Sequence, residues 1–240
     1  MESGMENSSR SAKDADAAAS VSQVLADMRI TYDQGTLRSA DLATTPLDQF
    51  NLWFDEAREC GTIIEPNAMV VATSDADGYP SSRTVLLKGV DDRGFTFFSN
   101  LHSRKSQELR VNPHASITFP WYELHRQVVV CGQVEELDRD EVANYFASRP
   151  HESQLGAWAS EQSTVLKSRE ELDDRWVELH NEYPPDTPVP LPDFWGGWLV
   201  KPSTIEFWQG RPSRLHDRLR FSGGGSLSDA SAWIVERLSP

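Results

Sequence analysis

The chain is 240 residues long, 38% hydrophobic and 10% aromatic, which is enough apolar material for a buried core and too much for a disordered polymer. A formal net charge of −14 argues against bulk nucleic-acid binding, because a phosphate backbone rewards a basic surface. No run of eighteen apolar residues is present, the first twenty residues lack the basic start and apolar core of a secretory signal, and two distant cysteines, Cys60 and Cys131, with scattered histidines offer neither a disulfide framework nor metal-ligand spacing, so a cytoplasmic protein without membrane or metal is expected.

Residues 1–20 are small, polar and acidic and predict a disordered tail; a single domain is expected from residue 21 to 240. Val21, Val24, Leu25 and Met28 share one helical face, predicting a short amphipathic helix that ends near Arg29 and Tyr32. Thr45 and Pro46 open a second helix, with Leu47, Phe50, Phe54 and Ala57 on one side, running to about Cys60. Residues 68–73 and 82–90 then read as strands around the turn DADGYP, and a DDRG turn leads to a third at 95–99, so a meander is expected.

Asn100 and Ser103 open a helix that Asn112 and Pro113 close. Arg104 and Lys105 in its first turn oppose the helix dipole, a cost that a bound anion would reverse, so SNLHSRK is a candidate phosphate site. Strands follow at 115–121 and 126–137, the second with Gly132 suited to a bulge. Asp138 caps a helix over 138–149, and Pro150 separates it from another over 151–160. Tyr145, Arg149 and Ser153 step by four across that break, and a phenol, a guanidinium and a hydroxyl are all anion donors.

An acidic amphipathic helix at 168–183 and a proline-rich loop lead to FWGGW and to strands at 197–201, 203–209 and 215–221, with a last hairpin ending at 232–237. Within this part IEFWQGRPSRLHDR gathers Arg211, Arg214 and Arg218 in an acidic chain, which suits a specific anion. Short strands in meander order with inserted helices predict an α+β, mainly β fold: a closed antiparallel barrel with peripheral helices. The chain has no GxGxxG, GxxxxGK[ST] or GxSxG, which disfavours dinucleotide-fold, P-loop and hydrolase chemistry.

In combination and order, SRTVLLK, FFSNLHSRK, HRQVVV, NYFASRPHESQLGAW with its EQS continuation, FWGGW and FWQGRPSRLHDR resemble the pyridoxamine 5′-phosphate oxidase family over residues 29–240. The resemblance implies an FMN-binding split β-barrel, antiparallel and of Greek-key type. It also implies a homodimer with FMN at the subunit interface, residues 195–240 contributing to both active site and dimer. The implied reaction oxidises pyridoxamine or pyridoxine 5′-phosphate to pyridoxal 5′-phosphate, with O2 giving hydrogen peroxide.

For FMN the resemblance implies Arg83, Thr84, Val85, Leu86, Leu87, Lys88, Phe98, Ser99, Arg104, Lys105, Gln127, Gln162, Ser163, Trp208 and Arg218. For the substrate it implies Arg29, Tyr32, Lys88, Tyr145, Arg149, Ser153, Arg214, Leu215 and His216, with Arg214 and His216 catalytic. Strand periodicity would put Arg83 and Lys88 on opposite faces, suiting two phosphates, and Arg214 and His216 on one face. Phe98 and Ser99 stand where many members carry Tyr and Thr, so a phenol is lost and a hydroxyl kept. A related flavoprotein acting on another substrate and a non-catalytic carrier of FMN or pyridoxal phosphate are the competing readings.

Overall fold

The computed structural model describes residues 21–26, 28 and 30–240. The chain divides into two units between Asp33 and Gln34, later than the composition change at residue 20. In the first unit residues 21–26 are helical and residue 28 is not, so the helix is shorter than its apolar spacing suggests. The expected tail at 1–20 and Arg29 lie outside the described residues. No helix among the described residues is long and apolar enough to cross a membrane.

Nine antiparallel strands make one sheet in the second unit. They are β1 (Ala68–Ser74), β2 (Pro80–Leu86), β3 (Gly89–Asp91), β4 (Gly94–Asn100), β5 (His114–Trp121), β6 (Arg126–Glu136), β7 (Trp195–Gln209), β8 (Asp217–Gly223) and β9 (Trp233–Arg237). Their order is β2-β1-β5-β6-β7-β4-β3, with β8 on β7 and β9 on β8. The β1–β2 hairpin forms as expected around a turn in which the Asp75 carboxylate accepts from the amides of Asp77 and Tyr79. The expected meander does not continue.

Instead the strand read at 82–90 breaks. Leu87 donates its amide to Asn67 O and Lys88 donates to Thr96 O, so at these two residues the chain changes partner, from β1 on one side to β4 on the other. β2 and β3 are the two ends of the sheet path and are consecutive in the chain. The sheet therefore curls until its ends meet at Leu87 and Lys88, which is how this barrel closes.

Residues 197–209, read as two strands, are one. Pro202 lacks an amide proton, and the ladder accommodates it with a register shift: Gly132 pairs with Pro202 and Cys131 with Thr204, so Ser203 of β7 is passed over. Gly132 is required there, because a Cβ would lie 2.0 Å from the Lys201 carbonyl oxygen. The first six residues of β7 are all buried because the strand is covered on both faces. Trp198 and Val200 join the main core, while Trp195 and Leu199 join a second cluster with Val142, Phe146 and Leu155.

Helix α1 (Pro46–Glu59) starts as predicted: Thr45 Oγ1 accepts from the Asp48 amide at 3.1 Å. Its Phe50 packs edge-on to Phe95 and Phe119, with centroids 4.9 and 5.1 Å apart, and Trp53 meets Phe207 at 5.3 Å. Burying each such side chain stabilises by about 1.5–3 kcal/mol, so α1 is clamped to β4, β5 and β7. The remaining helices are α2 (Arg104–Val111), α3 (Arg139–Ser148), α4 (His151–Ala159) and α5 (Arg169–Glu182). Arg149 and Pro150 separate α3 from α4 as the proline predicts, although Asp138 makes no capping bond.

Candidate functional site

Where the barrel closes there is a cavity of about 790 Å³. One wall is β2 and the seam, from Ser81 to Leu86 with Lys88; another is Phe98, Ser99 and Asn100 of β4 with Arg104 and Lys105 of α2. The α3–α4 junction supplies Tyr145, Arg149 and Ser153, and the chain after α4 supplies Gln162 and Ser163. Five cationic side chains line it, those of Arg83, Lys88, Arg104, Lys105 and Arg149, and no aspartate or glutamate does. In a chain of net charge −14 that is a site built for anions.

Just beneath the lining sits Glu108, buried on α2. Its Oε2 accepts from the hydroxyls of Thr73 and Ser81, the latter at 2.6 Å, and Oε1 accepts from Arg104 Nε at 2.7 Å. Arg83 donates to the same two hydroxyls, to Val71 O at 3.2 Å and to Glu108 at 3.4 Å. Burial alone would push the Glu108 carboxyl up; the bonds from Ser81, Thr73 and Arg104 outweigh it and hold the group at about 2. The Arg104 contact also relieves the opposition between a cation and the α2 dipole.

Lys105 is buried with no carboxylate partner. Its ammonium donates to Ser99 Oγ at 2.7 Å, Ser103 Oγ at 3.2 Å and Gln162 Oε1 at 2.7 Å. Burial first, and then the charge of Arg83, pull it down to about 8. Ser99 also donates to Gln162 Oε1 at 3.0 Å, so the carboxamide oxygen is held and its NH2 end is turned from these partners.

At the α3–α4 junction, Arg149 lies over Trp195 at 4.8 Å and Phe146 at 5.6 Å, and its Nη1 is buried without a hydrogen-bond partner. Such an orphan costs about 1–3 kcal/mol, which an anionic acceptor would recover. Burial lowers the pKa of Arg149 and raises that of Tyr145. Phe98 fills the place of the missing phenol by stacking on Tyr145 at 3.9 Å and on Trp195 at 5.4 Å, giving the cavity a flat aromatic wall. Arg83 and Lys88 line this one cavity; the opposite-face argument fails because the strand ends between them.

The other expected residues gather elsewhere. Leu87 is buried in the main core. Gln127 pairs with Trp208 and Trp208 with Arg218, so these three sit in a row across β6, β7 and β8. The His216 ring lies 4.6 Å from that of Trp208, and its Nδ1 accepts from the Arg211 amide at 3.0 Å. In the neutral ring the proton is therefore on Nε2. Arg214 is not on a strand: it ends a turn, Pro212–Arg214, with φ of 61°, and β8 starts only at Asp217. Period two therefore cannot relate Arg214 to His216. Leu215 is exposed, and Arg218 is committed to Glu206 at 2.7 and 2.9 Å. Arg211, unassigned from sequence, donates to Gly35 O at 3.0 Å. Tyr32 lies in the N-terminal unit.

Sequence reasoning missed Glu108, Ser81 and Trp195. The only local sign of Glu108 is its spacing of four from Arg104, which on its own reads as a surface helix pair.

Comparison with known proteins adds the following. The family described as Pyridoxamine 5′-phosphate oxidase matches residues 55–182, and the Pyridoxine 5′-phosphate oxidase C-terminal dimerisation region matches residues 195–240. A pyridoxine/pyridoxamine 5′-phosphate oxidase of Frankia alni is 53% identical over 216 residues, covering 90% of this chain and 88% of that one. One of Streptomyces avermitilis is 51% identical over 218 residues, covering 90% and 96%. The structure of PhzG from Burkholderia lata, in complex with tetrahydrophenazine-1-carboxylic acid, superposes with TM-score 0.78 at 29% identity, covering 88% of this chain and all of that one.

Proposed function

This chain belongs to the pyridoxamine 5′-phosphate oxidase family, and from that premise we propose that its cavity holds FMN beside a phosphorylated B6 vitamer, with the second group of residues delivered by the partner subunit of a homodimer. It is an oxidoreductase that converts pyridoxine and pyridoxamine 5′-phosphate to pyridoxal 5′-phosphate. The observation that carries the ligand reading is the charge of the cavity. Five lining cations less the carboxylate of Glu108 leave four positive charges, matching two phosphomonoesters of up to about two negative charges each.

On this reading Arg83, Arg104 and Lys105 answer the FMN phosphate, while Lys88, Tyr145, Arg149 and Ser153 hold the phosphate of the substrate. Gln162 and Trp208 suit the amide-like edges and flat face of the flavin ring. FMN, when bound, supplies the two-electron acceptor, and dioxygen is the terminal oxidant, leaving as hydrogen peroxide. The protein's own contribution is positional. Arg149 fixes the substrate through its phosphate; Arg214 and His216 stand over the substrate ring, His216 offering a proton at Nε2. Burial and the charge of Arg214 both lower the His216 pKa, which keeps the ring neutral at physiological pH.

Trp208, Arg218, Arg214 and His216 lie outside the cavity lining of their own chain, and residues 195–240 match a dimerisation region. Exposed Leu215 and Ile234 suit burial against a partner. The setting is the cytoplasm.

The test is direct: add FMN, pyridoxamine 5′-phosphate and oxygen, and follow aldehyde and peroxide together. A flavin-loaded protein that forms neither would refute the reading. The dimer arm mixes Arg149→Ala chains with His216→Ala chains. Random pairing leaves about a quarter of sites intact if the two residues come from different subunits; no recovery of activity would put both in one.

A further inference from the structure

We infer that Glu108 is a positioning residue for phosphate recognition, holding the guanidiniums of Arg83 and Arg104 in the orientation that receives FMN. The inference rests on the FMN reading given above. Glu108 does not line the cavity, and an anion next to a phosphate site would by simple repulsion weaken it, so its place there needs a reason.

The hydrogen bonds supply one. Four of the five N–H groups of Arg83 are used within the protein, on Val71 O, Thr73, Ser81 and Glu108. Both hydroxyls pass their own protons to the same oxygen, Oε2. The guanidinium is therefore fixed through two hydroxyl bridges that converge on one atom. The other oxygen takes Arg104 Nε at 2.7 Å and leaves the two terminal nitrogens of that fork for a ligand. A single carboxylate thus sets two arginines on different elements, β2 and α2.

Charge gives the same answer. Arg83, Arg104 and Lys105 less Glu108 leave two positive charges, the number a phosphomonoester dianion carries at most. Glutamine cannot replace it. Every neighbour of Glu108 in this network donates to it, so an amide NH2 would face donors and leave them unpaired.

The test uses the full-length chain stripped of flavin, with FMN and riboflavin as probes, because riboflavin has the same ring and no phosphate. Glu108→Gln is expected to raise the FMN dissociation constant about tenfold or more, with riboflavin affinity unchanged within about twofold. Ser81→Ala, which removes one bridge and no charge, is expected to show the same selectivity at about threefold. Tighter or unchanged FMN binding in Glu108→Gln would mean that the carboxylate acts only by repulsion or not at all, and would overturn the inference. An equal loss of both flavins would overturn it too, showing a purely structural role. If Glu108→Gln does not fold, Ser81→Ala decides by the same criterion. Unaltered protein that binds neither flavin would refute the parent reading instead.

Discussion

Replacing Lys105 with methionine should make the ligand-free protein more stable and the flavin complex weaker. Lys105 is 6% exposed, and its ammonium is pulled from its ordinary value near 10.5 to about 8 by burial and by Arg83. A base whose folded value is depressed destabilises the fold while it is charged. The penalty is complete below pH 8 and fades as pH rises from about 8 to 10.5, where the unfolded lysine also loses its proton. Its size is about 3 kcal/mol at most. Methionine removes that penalty and three hydrogen bonds, to Ser99, Ser103 and Gln162, each contributing about 1 kcal/mol or less net. The balance is a gain of up to about 1.5 kcal/mol at about 0.5 kcal/mol per bond, or up to about 6 °C in Tm for a chain of this size. Thermal melts of flavin-free protein at pH 7 and fixed concentration measure it, and flavin titrations should show FMN affinity falling about tenfold. FMN affinity of the unaltered protein should also decline as pH rises through about 8, and Lys105→Met should abolish that dependence. A methionine variant that melts lower without ligand, or binds FMN as well as before, would refute the argument.

Other consequences can be measured separately. On the proposed assignment of Arg149, with its orphaned Nη1, to the substrate phosphate, Arg149→Ala should raise KM for pyridoxamine 5′-phosphate about tenfold or more in steady-state assays while FMN stays bound. Gly197→Ala places a Cβ 2.5 Å from Leu137 and 2.8 Å from Phe98; denaturant melts should show a loss of about 1–3 kcal/mol, with Phe98 displaced from the cavity wall. Glu108, held at about 2, contributes stability that is present above about pH 4.5 and lost as pH falls toward 2. Acid titration of Glu108→Gln should therefore lack a slope worth about 3 kcal/mol.

What could be read from sequence follows from the range of the interactions involved. The Thr45 cap, the Asp75 turn and the break at Pro150 are set by neighbours a few residues apart and emerged as expected. The cations of the cavity were legible because Arg83, Lys88, Arg104, Lys105 and Arg149 are conspicuous in an acidic chain. Strand pairing was not: β4 reaches β7 across a hundred residues, and nothing local marks Leu87 and Lys88 as the point where one ladder ends and another begins. Arg214 misled for a different reason. The backbone turns at Ser213 and Arg214 with φ of 58° and 61° and no glycine to announce it, so a strand pattern was read through a turn. Glu108 gave only its spacing of four from Arg104, because its other partners come from β1 and β2.

The seam at Leu87 and Lys88 also bears on the order in which the molecule forms. The cavity exists only once β2 and β3 have been brought together, and they sit at opposite ends of a path through β1, β5, β6, β7 and β4. Pairings between such distant segments carry a large loop-closure cost and form late. On the proposed placement, ligands seated on that seam would hold together contacts that the folding transition state has yet to make. Flavin seated there would therefore slow unfolding and leave the refolding rate nearly untouched, acting on this chain as a latch and not as a template.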